Sequence, residues 1–351
     1  AARQGHDVIL TPTSHTYFDY YQATYEQEPT AIGGYLPLKK VFGFNPIPQV
    51  LQNTDAASHV LGAQGNVWTE YMATKEQVEY MVFPRIVAMS EVVWSGAAKN
   101  IEEDYTNFLS RLEQYLERLD VKNINYANHL YDLEGGVIKK QGAVSYALTT
   151  PTKGKEIKYR LNTAQEQIYT SPFSISQDAI ITGQVYKEGK KVGRTFTDTI
   201  HYHKAINASV SLNVAPHSAY GAGGSSALIN GVSGSNTRYG DKEWLGFWGD
   251  DLKITITFAK PTKISKISTR FYNANGQWVY APKAIEVQTD FGTLPVIKLP
   301  ATDQTILDVN LKASGTTSFI KISVPSFGSI PDGLQGAGNK AWTFIDEIVV
   351  E

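Results

Sequence analysis

The 351-residue chain contains no cysteine, which excludes disulfides and thiolate metal sites and leaves the cellular compartment open. No apolar run approaches the ~18 residues that a membrane-spanning helix needs, so no transmembrane segment is expected. A surplus of one charge is also missing. The 32 basic and 34 acidic residues leave a formal net charge of −2, which gives no electrostatic case for nucleic acid or an anionic membrane as partner. Internal repeats and low-complexity tracts are absent too. What the chain has is 42% hydrophobic and 11% aromatic residues, enough for real cores in two to three domains. The opening Ala1-Ala2-Arg3-Gln4-Gly5-His6-Asp7 reads as a helix end, a Gly stop and a strand entry. The chain is therefore expected to be the C-terminal portion of a longer protein, with any targeting signal outside it.

Three composition regimes follow one another. Residues 1–125 mix strands and helices. Val8-Ile9-Leu10 and the stretch from Val60 to Val67 read as strands, and Thr74 with Gln77 three residues on reads as a helix start. Val78, Met81, Val82, Ile86, Met89 and Val93 keep helical spacing, with a kink or break expected at Pro84. A further helix runs from about Glu102 to Leu119. A strand followed by a covering helix is the βα unit of a barrel or doubly wound sheet. Residues 126–215 hold short alternating stretches (144–148, 156–161, 179–182 and 191–192) suited to a small antiparallel β-sandwich. Beyond the Gly/Ser-rich 220–226, residues 216–351 are again all-β, with strands expected at 252–258, 263–271, 284–289, 319–324 and 344–350.

The most informative stretch is Gly62-Ala63-Gln64-Gly65-Asn66-Val67-Trp68-Thr69-Glu70. Side chains two apart in a strand share a face, so Trp68 and Glu70 emerge together where an apolar run ends. An indole beside a carboxylate suits a sugar ring, one for its apolar face and one for its hydroxyls. Tyr17 and Asp19 repeat the spacing. In parallel α/β folds the loops after strand ends carry the chemistry. The bland alternative is a core tryptophan, a capping glutamate and a turn-forming aspartate.

Residues 7–96 resemble the end of the catalytic barrel of family 20 glycoside hydrolases, the β-N-acetylhexosaminidases. The matching words, in order, are Tyr17-Phe18-Asp19, the stretch from Leu38 to Pro48, the stretch from Leu61 to Glu70, Glu79 to Arg85, and Ala88 to Ser95. The resemblance implies roles. Tyr17 would donate its hydroxyl to the oxygen of the substrate's 2-acetamido group. Asp19 and Glu70 would accept from hydroxyls around positions 4 and 6, and Trp68 would line the pocket under the pyranose. That acetamido oxygen would attack the anomeric carbon, so the family departs from the scheme with a protein nucleophile. The family's adjacent Asp-Glu pair, its general acid with the aspartate that orients the acetamido nitrogen, belongs to an earlier strand. Asp346-Glu347 and Glu102-Glu103-Asp104 do not stand in that context, so the chain is expected to be inactive alone.

The stretch Asn230-Gly231-Val232, then Glu243-Trp244 to Asp251, Pro282 to Gly292 and Ala341 to Ile348 resembles a discoidin-like, family 32-type carbohydrate-binding module. Trp248 and Trp278 lie in Gly/Asn-rich loops and could stack on sugar. Trp342, Phe344 and Ile345 read as core or sheet-end residues and Asp346-Glu347 as a structural edge. Such modules often hold a structural calcium, to which Asp241, Asp250 or Asp251 could contribute oxygens. No redox or organic cofactor is implied. His201 and His203 alternate, which reads better as a solvated strand face than as a metal pair.

The reading is thus multidomain: the C-terminal part of a (β/α)8 TIM barrel (1–125), a small β-sandwich connector (126–215) and a discoidin-like β-sandwich (216–351). The expected parent is an exo-acting retaining β-N-acetylhexosaminidase acting on glycans that end in N-acetylglucosamine or N-acetylgalactosamine. Its expected location is periplasmic, cell-surface or secreted. The rival is a non-catalytic carbohydrate-binding protein.

Overall fold

Val8–Leu10 is a strand of three residues, ended by Thr11-Pro12, and it pairs in parallel with Val60–Ala63. The second strand stops four residues before the expected end at Val67, because its partner offers nothing beyond Leu10. Pairing resumes after the one-turn helix Thr13–Thr16, where the Phe18 amide donates to the Asn66 carbonyl and the Asn66 amide to that of Thr16. Gly65 is required between the two patches, since a Cβ there would lie 2.7 Å from the Phe18 ring. These contacts belong to a computed structural model that describes every residue except Tyr25, Glu26, Gln141, Ala222 and Ala301. It is mostly sheet with few helices and divides into two compact units. The first comprises 1–133, 149–157 and 184–195; the second comprises 134–148, 158–183 and 196–351.

In the first unit the helix Lys75–Val82 begins at Thr74, whose side chain accepts from the Gln77 amide while Gln77 reaches back to the Thr74 amide. This reciprocal cap is the one the sequence spacing predicts. The helix breaks at Phe83-Pro84 and restarts as Arg85–Ser95. Ile101–Val121 then buries Phe108, Leu109, Leu112, Leu116 and Leu119 along one stripe. Ile9 and Leu61 on the strand pair stay exposed, and so does Trp94, at 92%.

A buried charge network holds this unit's long loop. Glu28 accepts from Tyr80 Oη at 2.9 Å and from Arg194, which lies on a hairpin turning at Glu188-Gly189. His129 lies 2.6 Å from Asp132 and 3.3 Å from Glu28. Two carboxylates thus face two cations. Burial alone would raise Glu28, but the hydrogen bonds and charges of His129 and Arg194 hold it down at about 2. Burial alone would lower His129, yet Asp132 and Glu28 raise it above its ordinary value.

The second unit carries short sheets and one large one. Glu134–Lys140, Ala143–Thr149 and Phe173–Ser174 hydrogen-bond in that order. The large antiparallel sheet runs Leu245–Trp248, Trp342–Ile345, Leu252–Tyr272, Ile306–Val324, Ala284–Thr289, Gly292–Thr293. Alternate residues such as Ile254, Ile256, Ile320 and Ile322 enter the core, as period-2 burial requires. The two strands expected at 252–258 and 263–271 are one, with a register shift between Thr257 and Thr262 where Pro261 cannot donate to the ladder.

Two expectations fail near the end of the chain. The strand expected at 344–350 is interrupted by Asp346-Glu347, which is no edge but fully buried. Asp346 takes the Arg270 guanidinium, and Glu347 takes His203 Nε2 at 2.6 Å with the Asn230 and Gly231 amides. His203 is therefore buried, off any strand and capping Lys204–Asn207, rather than solvated. A buried carboxylate needs such partners, and the local pattern around His203 could not announce one 144 residues away.

The Glu28 cluster predicts a pH window. Glu28 is depressed on folding, so its stabilisation is full above about 4.5 and is lost as pH falls toward 2. His129 is raised, so its stabilisation is full below 6.5 and is lost as pH rises through its folded value. Glu28→Gln should cost about 3 kcal/mol. In thermal melts across a pH series, the gap to wild type should be widest between about 4.5 and 6.5 and should close in acid. A gap independent of pH would contradict this.

Candidate functional site

Tyr17, Asp19, Trp68 and Glu70 all lie in the first unit, just past the paired stretches that position them. Tyr17 bridges Asn66 in parallel, which sets the 17–19 and 66–70 segments side by side. The Tyr17 and Trp68 rings are 6.5 Å apart at 48°, and Tyr20 lies 5.8 Å from Tyr17 on its other side. Trp68 is 52% exposed and Glu70 is exposed, whereas Asp19 is only 6% exposed. The four residues bring a tilted aromatic pair, one exposed carboxylate and one buried carboxylate onto two paired segments. Trp68 and Glu70 sit beyond the strand end, so they share a neighbourhood through the bridge at Asn66 rather than through a continuous strand.

Asp19 is the unusual group. One of its carboxylate oxygens is buried without a hydrogen-bond partner among the described residues. Burial raises its pKa and the nearby Glu70 charge adds to the rise, while its own backbone amide and Arg85 oppose them. A buried acceptor with a spare lone pair is what a ligand hydroxyl would satisfy.

Arg85 is the residue that sequence reasoning passed over. Arg85 is 0% exposed, and among the described residues its guanidinium bonds to carbonyls: Nη1 to Tyr20 at 2.9 Å and Leu36 at 3.1 Å, Nε to Met81 at 3.1 Å, and Nη2 to Phe18 and Met81. The Phe18 ring lies 5.1 Å away. The signal was available. Arg85 stands in the buried stripe Met81, Arg85, Ala88, Met89, Val92, where an arginine is out of place unless paired.

Residues 1–97 match the family 20 glycosyl hydrolase catalytic domain. A β-hexosaminidase of Porphyromonas gingivalis is 37% identical over 186 residues, 52% of this chain and 23% of that protein. The chain spans less than a quarter of the length of the curated relatives it matches first. A Vibrio harveyi family 20 exo-β-N-acetylglucosaminidase, solved with N-acetylglucosamine, is 35% identical over 36% of this chain and 19% of its own, with a TM-score of 0.31. The lectin domain of lectinolysin, solved with Lewis B antigen, is 12% identical over 43% of this chain and 96% of its own, with a TM-score of 0.29. Overlaps of that size carry no argument about fold or ligand. The matched segment includes Tyr17, Asp19, Trp68 and Glu70.

In the second unit, Trp248 and Trp278 do come together, with ring centroids 6.3 Å apart. Trp342 joins them, edge-on to Trp248 at 4.6 Å. It is half-buried at a strand start, a sheet-end residue packed against the Trp244–Phe344 core cluster. Trp278 has a positive φ of 63° and packs so closely on Gly336 that a Cβ there would lie 2.4 Å from the indole. Asp241 accepts from the Ser235, Glu243 and Trp244 amides and Asp251 from that of Ser326. Both brace loops, and Asp250 is exposed. Among the described residues no three His, Asp or Glu side chains converge as a metal-holding group.

Because the Glu70 charge raises Asp19, Glu70→Gln should lower the Asp19 midpoint in a carboxyl-carbon NMR titration. An unchanged midpoint would show that the two carboxylates do not share a site.

Proposed function

We propose that this chain is the C-terminal portion of an exo-acting, retaining β-N-acetylhexosaminidase, and that residues 17–70 are the sugar-recognition side of its active site. The observation that carries the reading is the grouping of these four side chains. A tilted Tyr17–Trp68 pair stands beside a buried carboxylate with an unused acceptor and an exposed one nearby. The family 20 match over the same residues supports it. In this reading Tyr17 donates to the acetamido oxygen and holds it for attack on the anomeric carbon, Asp19 and Glu70 accept from the far hydroxyls, and Trp68 packs under the ring. A hydrogen bond to a charged acceptor contributes about 1.5–3 kcal/mol. No cofactor is needed.

We read residues 1–125 as the end of a (β/α)8 barrel. The supporting observation is the parallel pair with the apolar Ile9, Leu61 and Trp94 left uncovered, as an incomplete barrel would leave them. General acid–base catalysis would come from another part of the protein. The adjacent Asp346-Glu347 is committed to Arg270, His203 and backbone amides. The discoidin-like module would hold glycan on the Trp248–Trp278–Trp342 cluster, and an extracytoplasmic location fits such substrates. That cluster is also what favours the rival reading, a carbohydrate-binding protein without catalysis.

Three measurements follow. The isolated chain should leave a chromogenic N-acetylglucosaminide intact, and hydrolysis would overturn the division of labour. In the longer protein Glu70→Gln should lower kcat/KM by roughly 10- to 150-fold, and a far larger loss with the fold intact would mean that Glu70 transfers a proton. Separately, Trp278→Ala should abolish glycan-array signals of residues 1–351 with its fold unchanged. Retained signals would remove the tryptophan cluster from binding.

A further inference from the structure

We infer that Arg85 is the positioning residue of the Tyr17–Asp19 loop: its guanidinium takes both carbonyls that flank Asp19, and so fixes where the Tyr17 hydroxyl and the Asp19 carboxylate stand. The inference rests on the sugar-site reading above. Five N–H donors in a rigid plane meet carbonyls from three separate stretches: Phe18 and Tyr20, Leu36, and Met81. Among the described residues no carboxylate bonds to the guanidinium directly, and its partners there are carbonyls. Burying such a cation costs several kcal/mol, and an apolar side chain would fill the stripe without that cost. What an apolar side chain could not do is tie the loop on both sides of Asp19 to the helix below it. Lysine could not do so either, because its ammonium is a point donor without the fork. Arg85 also opposes the effect of burial on Asp19 and so keeps that carboxylate an acceptor.

The test is Arg85→Lys, read in two ways, with Arg85→Met beside it. In the 351-residue chain Arg85→Met, which removes the charge, should raise the Asp19 midpoint above wild type, and in Arg85→Lys the Tyr17–Trp68 ring contact should be lost from NMR spectra while the helical circular dichroism persists. In the longer enzyme kcat/KM on a chromogenic N-acetylglucosaminide should fall about 100-fold. The same substitution should cost under about threefold where Asp19→Asn and Tyr17→Phe are already present, because Arg85 acts through them. Unchanged Asp19 and Tyr17 signals, or losses that simply multiply, would overturn the inference. If the longer enzyme hydrolyses nothing, the hexosaminidase reading falls and the NMR arm alone decides Arg85. If the Lys variant does not fold, the wild type decides. Guanidinium protons of Arg85 that exchange only with global unfolding uphold the inference, and fast exchange overturns it.

Discussion

One buried guanidinium organises the first unit's site. Arg85 hydrogen-bonds to the backbone on both sides of Asp19, and to Leu36 at the far end of the same loop. The loop between these points is long, and among its described residues no helix or strand forms before Leu38–Phe42. Without an internal anchor its conformational entropy would oppose any fixed placement of Tyr17 and Asp19. Glu28 supplies a second anchor through Tyr80 and Arg194, so the loop is tied at its root and near its middle.

The same buried cation bears on chemistry. Asp19 lies deep enough that burial favours its neutral form, and Arg85 is among the groups that oppose this. A charged carboxylate accepts more strongly where water is partly excluded than in bulk water. Glu70, at the exposed rim, pushes the other way. The pair therefore offers two acceptors of different character within one site.

Local rules were enough to read much of this from the sequence. The Thr74–Gln77 cap, the break at Pro84 and the Phe108–Leu119 stripe follow from spacing alone, and so does the alternation of the 252–258 stretch. The Tyr17, Asp19, Trp68 and Glu70 set was visible as two i, i+2 pairs, although what joins them is a bridge at Asn66. What stayed hidden depends on partners far along the chain. Glu347 finds His203 and Asp346 finds Arg270, and Arg85 finds carbonyls up to 67 residues away. Nothing in the pattern around a single residue reports such a partner.

The central claim is that residues 17–70 recognise an N-acetylhexosamine. The most direct measurement is a crystal structure of the longer protein grown with N-acetylglucosamine. The account predicts the sugar packed on Trp68, its acetamido oxygen within hydrogen-bonding distance of Tyr17 Oη, and its far hydroxyls on Asp19 and Glu70. A sugar bound elsewhere, with none on these residues, would contradict it.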